Sequence, residues 1–356
     1  MFFSRPYRVI GVMSGTSLDG LDIALCRFSR VAGRWRYAIE EATTFTYNDE
    51  WRQRLGSAQN LDAHEFSMLN IEYGLYIGER INEFRSQCKN EPTLVASHGH
   101  TVFHQPPNRL TWQVGDATAI ASVCRLPVIA DFRKADVLQG GQGAPLVPIG
   151  DELLFGNYDI CLNLGGFANM SFRSKAMRVA YDICPVNILL NHLALKTGKP
   201  FDDNGRIAAT GAVLHNVIQS LDRLSYYSRP WPKSLSREWF EKEVLPIFNA
   251  STASIADQLM TATTHIARRL AAAINEQQHI SNVLITGGGV FNTLLMDNIK
   301  KLTNKKIVIP SQQLIEFKEA MIFAFLGLLR YTGQTNILCS VTGAKKNSSA
   351  GIIALP

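Results

Sequence analysis

The sequence predicts an α/β protein of two related halves, each a mixed sheet flanked by helices, and three observations carry that prediction. Short apolar runs with strand character alternate with longer segments whose apolar residues recur at helical spacing. A strand, a glycine-rich turn and a second strand open the chain, and the same order returns near residue 160. No fixed short repeat and no polar low-complexity linker interrupts the chain, which excludes a solenoid. With 356 residues, 46% of them hydrophobic, the chain is long enough for two ordinary domains with substantial cores.

In the first half, 9–13 is an apolar strand, 14–20 is turn chemistry, and 21–28 resumes as a strand with Asp22 inside it. Residues 34–47 supply a third strand. A helix is expected over 63–84, where Phe66, Leu69, Tyr73, Ile77 and Ile81 share its period. Short buried strands at 93–97 and 127–130 bracket a helix at 116–124. The second half starts with strands at 159–164, 168–173 and 179–183, then a helix at 185–195 with Pro185 at its start. Ile255, Leu259, Ala262, Ile266, Leu270 and Ala273 line one face of a helix at 254–274. A strand at 283–285, a Gly287-Gly288-Gly289 loop, a helix ending near 302, a strand at 307–309 and a nearly all-apolar helix at 318–331 follow. The boundary is expected in the Gly/Gln-rich stretch 134–143, which has the composition of a mobile loop. That division gives a first lobe of 1–133 with 341–356 and a second of 134–340.

Lys and Arg number 36 against 30 Asp and Glu, a formal charge of +6, and the basic residues are scattered. No stripe suited to a phosphate backbone exists, so a nucleic-acid partner is not expected. The six cysteines form no C-x-x-C pair and read as reduced core residues, not as zinc ligands or a disulfide framework. The start lacks a basic segment followed by a long apolar one, and the longest apolar stretch, 320–329, is too short to span a bilayer. A cytoplasmic protein without a membrane partner is expected.

Three glycine-rich turns carry the chemistry. In Gly15-Thr16-Ser17-Leu18-Asp19-Gly20, glycines let backbone N–H groups approach an anion, hydroxyls add donors, and Asp19 can hold Mg²⁺ directly or through water. The competing reading is a plain hairpin that uses glycine for its positive φ. Asn163-Leu164-Gly165-Gly166-Phe167-Ala168-Asn169 repeats the turn at the equivalent point of the second half, and Gly287-Gly288-Gly289 opens a helix whose first N–H groups can receive a ligand. Two hairpins and a glycine-rich helix start describe a nucleotide clamp. Neither the G-x-x-x-x-G-K-[ST] phosphate loop nor a protein-kinase or dinucleotide signature is present.

The opening segment, Gly11 to Asp22, resembles that of the anhydro-N-acetylmuramic acid kinases, members of the superfamily of sugar kinases and actin. The likeness continues through Ser97 to His104, Gln113 to Asp116, Ala130 to Arg133, Gly140 to Pro148, Asn163 to Asn169, Gly287 to Asn292, Lys318 to Ala320 and Ser340 to Ala344. It implies a two-lobed actin-like, ribonuclease H-like ATPase fold with the active site in the cleft between lobes. The implied reaction opens the 1,6-anhydro bridge of a recycled cell-wall sugar with water and transfers the γ-phosphoryl of ATP to O6, giving N-acetylmuramic acid 6-phosphate and ADP. Because the phosphoryl group captures O6 as the bridge breaks, one general base suffices where a glycosidase needs a second acid.

The resemblance names Asp182 as that base, and its place between a strand and a helix allows either catalysis or a helix cap. It assigns ATP binding to Gly15, Thr16, Ser17, Leu18, Asp19, Gly20, Leu21, Asp22, Gly165, Gly166, Gly287, Gly288, Gly289 and Asn292; Asp19 and Asp22 read as carboxylates that position Mg²⁺ or as plain turn chemistry. His98 reads as a sugar contact or a satisfied structural histidine, Arg133 as a clamp on the lactyl carboxylate or a surface ion pair, and Glu319 as a sugar-hydroxyl acceptor or an N-terminal dipole partner. His104 receives no role. The resemblance also points to a homodimer whose partners are otherwise a small sugar and ATP.

The chain departs from the family beside the base. Many relatives read Asp-Thr-Gly-Pro-Gly-Asn where this chain has Asp182-Ile183-Cys184-Pro185-Val186-Asn187, and Leu235-Ser236 replaces a common Thr-Gly. A reshaped pocket is expected there. Two alternatives follow: a catalytically weak nucleotide- or sugar-binding sensor, and a kinase for a different sugar.

Overall fold

The opening hairpin seeds the first sheet. β1 (Tyr7–Ser14) pairs antiparallel with β2 (Gly20–Val31), and β2 pairs antiparallel with β3 (Arg34–Thr46). On its other side β1 pairs parallel with β4 (Leu94–Ser97). A separate hairpin of β5 (His100–Gln105) and β6 (Leu110–Val114), not expected from the sequence, follows. β7 (Val128–Ala130) extends the sheet parallel to β4, and the strand Ile352–Ala354 closes its edge antiparallel to β7. This computed structural model describes residues 6–15 and 17–356.

Residues 9–13 of β1 are an unbroken apolar run because both faces of the strand are covered. Ile10 and Val12 join a core with Tyr73, Ile77 and Ile81 of the helix Ala63–Ser86, whose start is fixed by a capping box between Asp62 and Glu65. Gly11 has no room for a Cβ, because the carbonyl of Ala320 in the helix Gln312–Tyr331 lies against it. That close approach is why the helix is apolar nearly all round: Met321, Ile322, Ala324, Phe325, Leu326, Leu328 and Leu329 are fully buried.

The second sheet repeats the plan. β8 (Ile160–Leu164), β9 (Phe167–Ser174) and β10 (Met177–Pro185) form an antiparallel meander, while β11 (Asn282–Thr286) lies parallel to β8 and β12 (Lys306–Val308) parallel to β11. In both sheets the first three strands are antiparallel and the next two parallel, in spatial order third, second, first, fourth, fifth. This is the expected ribonuclease H-like order. The helix Ile255–Glu276 buries the predicted face, with Leu259, Ala262, Ile266 and Leu270 fully enclosed.

The chain divides into two units, Met1–Gly156 with Phe317–Pro356, and Asn157–Glu316. The expected boundaries at 133/134 and 340/341 differ from these for packing reasons. The stretch 134–143 is tied into the first unit: the fully buried Asp136 accepts from Gly143 N–H at 2.8 Å and Thr342 Oγ1 at 2.7 Å, and Gln142 N–H donates to Thr342 O at 2.8 Å. The helix Pro148–Leu153 then packs its Gly150 against Ile322. None of the six cysteines is in a disulfide; Cys26, Cys124, Cys161 and Cys184 are buried as expected, and Cys88 and Cys339 are half-buried. Among the described residues no helix is long and apolar enough to cross a membrane.

Candidate active site

The opening turn divides its residues between two duties. Leu18 adopts a left-handed φ of 59° and donates its N–H to Gly15 O at 3.3 Å. Thr16, expected among the phosphate donors, lies outside the described residues. Ser17 and Asp19 are exposed, but Leu21 is fully buried and Leu18 packs on the same core, so neither offers its side chain to a ligand. Gly20 serves packing, since a Cβ there would come within 2.7 Å of Phe45 O. Asp22 accepts a hydrogen bond from Thr44 Oγ1 at 2.6 Å. Among the described residues no cluster of three or more His, Cys, Asp or Glu could hold a metal ion. The carboxylates of Asp19 and Asp22 still fit Mg²⁺, which draws most of its ligands from water and phosphate oxygens.

Beside this turn, in the first unit, a cavity of about 410 Å³ is lined by Ser14, Gly15, His98, His104, Arg133 and Glu319, among others. Its arginine is held fast. Arg133 Nε and Nη2 approach His98 Nε2 at 3.0 and 2.9 Å, and Nη1 donates to Gly143 O at 2.7 Å. His98 donates from Nδ1 to Gly99 O at 2.9 Å, leaving Nε2 as the acceptor for the guanidinium. Burial, reinforced by the adjacent Arg133 charge, pushes the imidazole well below its ordinary range, so it stays neutral as that bond requires. His98 therefore positions Arg133. Burial lowers the guanidinium to about 10, and Glu319 opposes that shift.

Glu319 lies well inside the helix Gln312–Tyr331, which starts six residues before the expected point, so the dipole reading is corrected. Its side chain is exposed where it lines the cavity, although neighbouring protein crowds the carboxyl. Burial raises its pKa while Arg133 and Lys318 lower it. Behind the cavity runs a buried relay that sequence reasoning missed. Tyr47 shares a 2.6 Å hydrogen bond with Tyr73 and donates to Ser14 Oγ at 2.9 Å, and Ser14 Oγ is 3.0 Å from His100 Nδ1. Burial pushes Tyr47 up to about 12 and His100 down to about 4, which keeps the relay neutral near pH 7.

In the second unit Asp182 lies within β10, not at a strand end. A register shift between Asp182 and Cys184 lets the strand continue to Pro185, and the next helix is Asn187–Leu195. Pro185 is thus not its first residue, and Asp182 is not its cap. The carboxylate accepts a 2.8 Å hydrogen bond from Leu235 N–H at Oδ2. The backbone on either side is also gripped, Asp182 N–H donating to Lys233 O at 3.1 Å and Asp182 O accepting from Tyr226 Oη at 2.5 Å. Burial raises its pKa to about 6 against the opposing pull of the Leu235 amide. Such a carboxyl is ionised near neutrality yet basic enough to take a proton.

The Gly165-Gly166 turn spends its carbonyls on the following helix, accepting from Asn187 N–H at 3.2 Å and Val186 N–H at 2.8 Å. The glycine triplet does not open an α-helix directly. Gly288 begins a 3₁₀ turn to Phe291, and the helix Thr293–Leu302 follows, capped by Asn292, whose side chain accepts from Leu295 N–H at 3.0 Å. Gly287 has a φ of 87° and Gly289 would place a Cβ 2.7 Å from Leu164 Cβ, so both are demanded by packing against the end of β8. Gly288 alone has room for a Cβ, which would meet only Asn187 Nδ2, at an ordinary contact distance of 3.8 Å. A cavity of about 490 Å³ is lined there by Asn187, Asp202, Gly288, Gly289, Asn292 and Glu316, among others. Asn187, within the segment quoted beside the base, was the legible signal for this cavity; Asp202 and Glu316 had none.

A profile of the anhydro-N-acetylmuramic acid kinase family matches residues 7–356. The chain is 32% identical to the anhydro-N-acetylmuramic acid kinase of Paramagnetospirillum magneticum, covering 96% of this chain and 98% of that one. It is 31% identical to that of Shewanella sediminis, over 96% and 97%. Among solved structures, the activator of the 2-hydroxyisocaproyl-CoA dehydratase from Clostridium difficile, with bound ADPNP, aligns with a TM-score of 0.45 at 13% identity over 92% and 97% of the two chains. A ROK family glucokinase from Streptomyces griseus in complex with glucose and AMPPNP aligns with a TM-score of 0.41 at 12% identity over 90% and 99%. With the family profile spanning the described strands and both cavities, the chain belongs to the anhydro-N-acetylmuramic acid kinase family and is an ATP-dependent sugar kinase.

Proposed function

We propose that the protein opens the 1,6-anhydro bridge of anhydro-N-acetylmuramic acid and phosphorylates O6 at the expense of ATP. The observation that carries this reading is Asp182, a partly enclosed carboxyl with its pKa raised to about 6 and one oxygen pinned by Leu235 N–H. Asp182 takes a proton from water, whose oxygen bonds to the anomeric carbon. The C1–O6 bond breaks, O6 bonds to the γ-phosphorus, and the bond from that phosphorus to the β-bridging oxygen breaks to release ADP. The proton on Asp182 passes to solvent, which balances the reaction. Attack from the face opposite O6 inverts the anomeric centre.

Gly288 and Gly289 would line the nucleotide's place, where the missing side chain at Gly288 leaves space for it. Arg133, aimed by His98 and Gly143 O, would bind the lactyl carboxylate, with Glu319 accepting from a sugar hydroxyl. Mg²⁺ would be held by Asp19 or Asp22 together with phosphate oxygens and water, and when bound it screens the phosphate charge. The cytoplasm, where ATP is plentiful, suits the reaction, and a homodimer rests on the family resemblance alone.

The family departures beside the base do not favour another sugar. Ile183, Cys184 and Val186 are all buried in the core of the second unit, and Leu235 serves Asp182 through its backbone, which any residue supplies. Product analysis decides between kinase and sensor. Incubation with the anhydro sugar and Mg-ATP in ¹⁸O-water should yield a sugar 6-phosphate carrying the label at C1, detected by mass spectrometry. Binding of sugar with no phosphorylated product would overturn the reading.

Two substitutions separate the ligands. Gly288→Val should raise KM for ATP with an unchanged melting temperature, since a Cβ there meets only Asn187 Nδ2, at an ordinary 3.8 Å, and the side chain enters the cavity. Arg133→Lys should raise KM for the sugar about 10- to 100-fold through loss of a charge-assisted pair. The same change should matter little for 1,6-anhydro-N-acetylglucosamine, which lacks the lactyl carboxylate.

A further inference from the structure

A third cavity, of about 370 Å³, lies in the second unit and is lined by Tyr227, Arg229, Trp231, Lys233, Arg269 and Glu276, among others. Three cations face one carboxylate. Arg269 stacks on Tyr227 at 4.0 Å and pairs with the half-exposed Asp222 at 3.6 Å, whereas Arg229 reaches only Ser225 Oγ, at 3.5 Å. Lys233 lies over the rings of Tyr226 and Tyr181 at 4.8 and 5.7 Å and donates to Tyr226 O at 3.2 Å. Burial and the charges of Arg269 and Arg229 push its pKa down, and Glu276 only partly offsets them. Like charges gathered in a half-desolvated hollow repel one another until an anion enters. Beside them Trp231 is 43% exposed, braced edge-on by Phe172 at 6.1 Å, and presents an aromatic surface to the cavity.

We propose that this cavity binds a small phosphomonoester bearing a flat ring, its phosphate among Arg229, Lys233 and Arg269 and its ring on Trp231, and that occupancy tunes Asp182. Guanidinium pairs match phosphate oxygens in geometry, and the aromatic lip adds a face for the ring. The link to Asp182 is covalent and short. Tyr181 precedes Asp182 on β10 and lines the cavity, while the segment carrying Lys233 holds Asp182 through Lys233 O and Leu235 N–H. The tuning role rests on the reading of Asp182 given above; the binding site does not.

Calorimetric titration of the full chain, saturated with Mg²⁺ and a non-hydrolysable ATP analogue, tests the site with phenyl phosphate as ligand and inorganic phosphate and phenol as comparators. Phenyl phosphate should bind more tightly than either comparator. Arg229→Ala should weaken it about tenfold, the value of one charge-assisted hydrogen bond. Trp231→Ala should weaken phenyl phosphate and leave inorganic phosphate unaffected. Both residues are exposed, so the variants should keep the wild-type melting temperature. No binding of phenyl phosphate, or binding indifferent to both substitutions, overturns the site. Phenyl phosphate should also change wild-type turnover, and about ten times more of it should be needed for the same change in Arg229→Ala; binding without any change in turnover overturns the tuning role. If no sugar is phosphorylated under any condition, the proposed function fails while the calorimetry still decides the site.

Discussion

Asp182→Asn should lower turnover about 10²- to 10⁴-fold, the usual contribution of a general base, and at the same time raise the melting temperature at pH 7. Both halves follow from burial. Asn keeps an oxygen for Leu235 N–H, so the local structure survives, but it cannot take a proton from water. The wild-type carboxyl titrates near 6 when folded against an ordinary 3.8. Its raised pKa stabilises the fold below about 4, where both states are protonated, and that stability is lost as pH rises through about 6. Removing the charge recovers about 1–3 kcal/mol at pH 7, allowing for residual exposure. The gain should vanish below pH 4 in thermal melts, whereas wild-type turnover should climb with pH through about 6. Equal melting curves for the two proteins across that range would contradict the raised pKa.

Lys318→Met should destabilise the first unit by about 3–5 kcal/mol, because it leaves the carboxylate of Asp151 charged in a buried place. Lys318 Nζ lies 3.0 Å from Asp151 Oδ1, and the two side chains are 6% and 5% exposed. The lysine also lies over the Phe155 ring at 5.2 Å. A double variant, Lys318→Met with Asp151→Leu, should recover much of the loss, since two apolar groups carry no desolvation penalty. Urea midpoints read both effects. A single variant as stable as the wild type would show that the pair adds nothing net to the fold.

Both sheets were readable from the sequence because their first hairpins announce themselves twice: apolar runs broken by Gly-Ser-Asp or Gly-Gly chemistry are local signals. The start of the helix Gln312–Tyr331 was misplaced because its first turn opens with two glutamines and hides the apolar pattern, although Pro310-Ser311 just before it is a legitimate start signal. The strand through Asp182 was cut short because a bulge is invisible to periodicity. Candidate site residues could be named one at a time through family likeness, but their partnerships could not. Arg133 meets His98, and Asp182 meets Leu235, across 35 and 53 residues of chain, and a single sequence carries no record of such distant hydrogen bonds.

The tie between Asp136 and Thr342 has a consequence for how the molecule comes into being. The glycine loop whose Gly143 carbonyl aims Arg133 takes its own shape from groups lying 206 residues further along the chain. A nascent polypeptide emerging from the ribosome therefore cannot set that arginine until translation has passed Thr342. The setting of Arg133 thus waits on a distant part of the first unit, however early the opening hairpin folds.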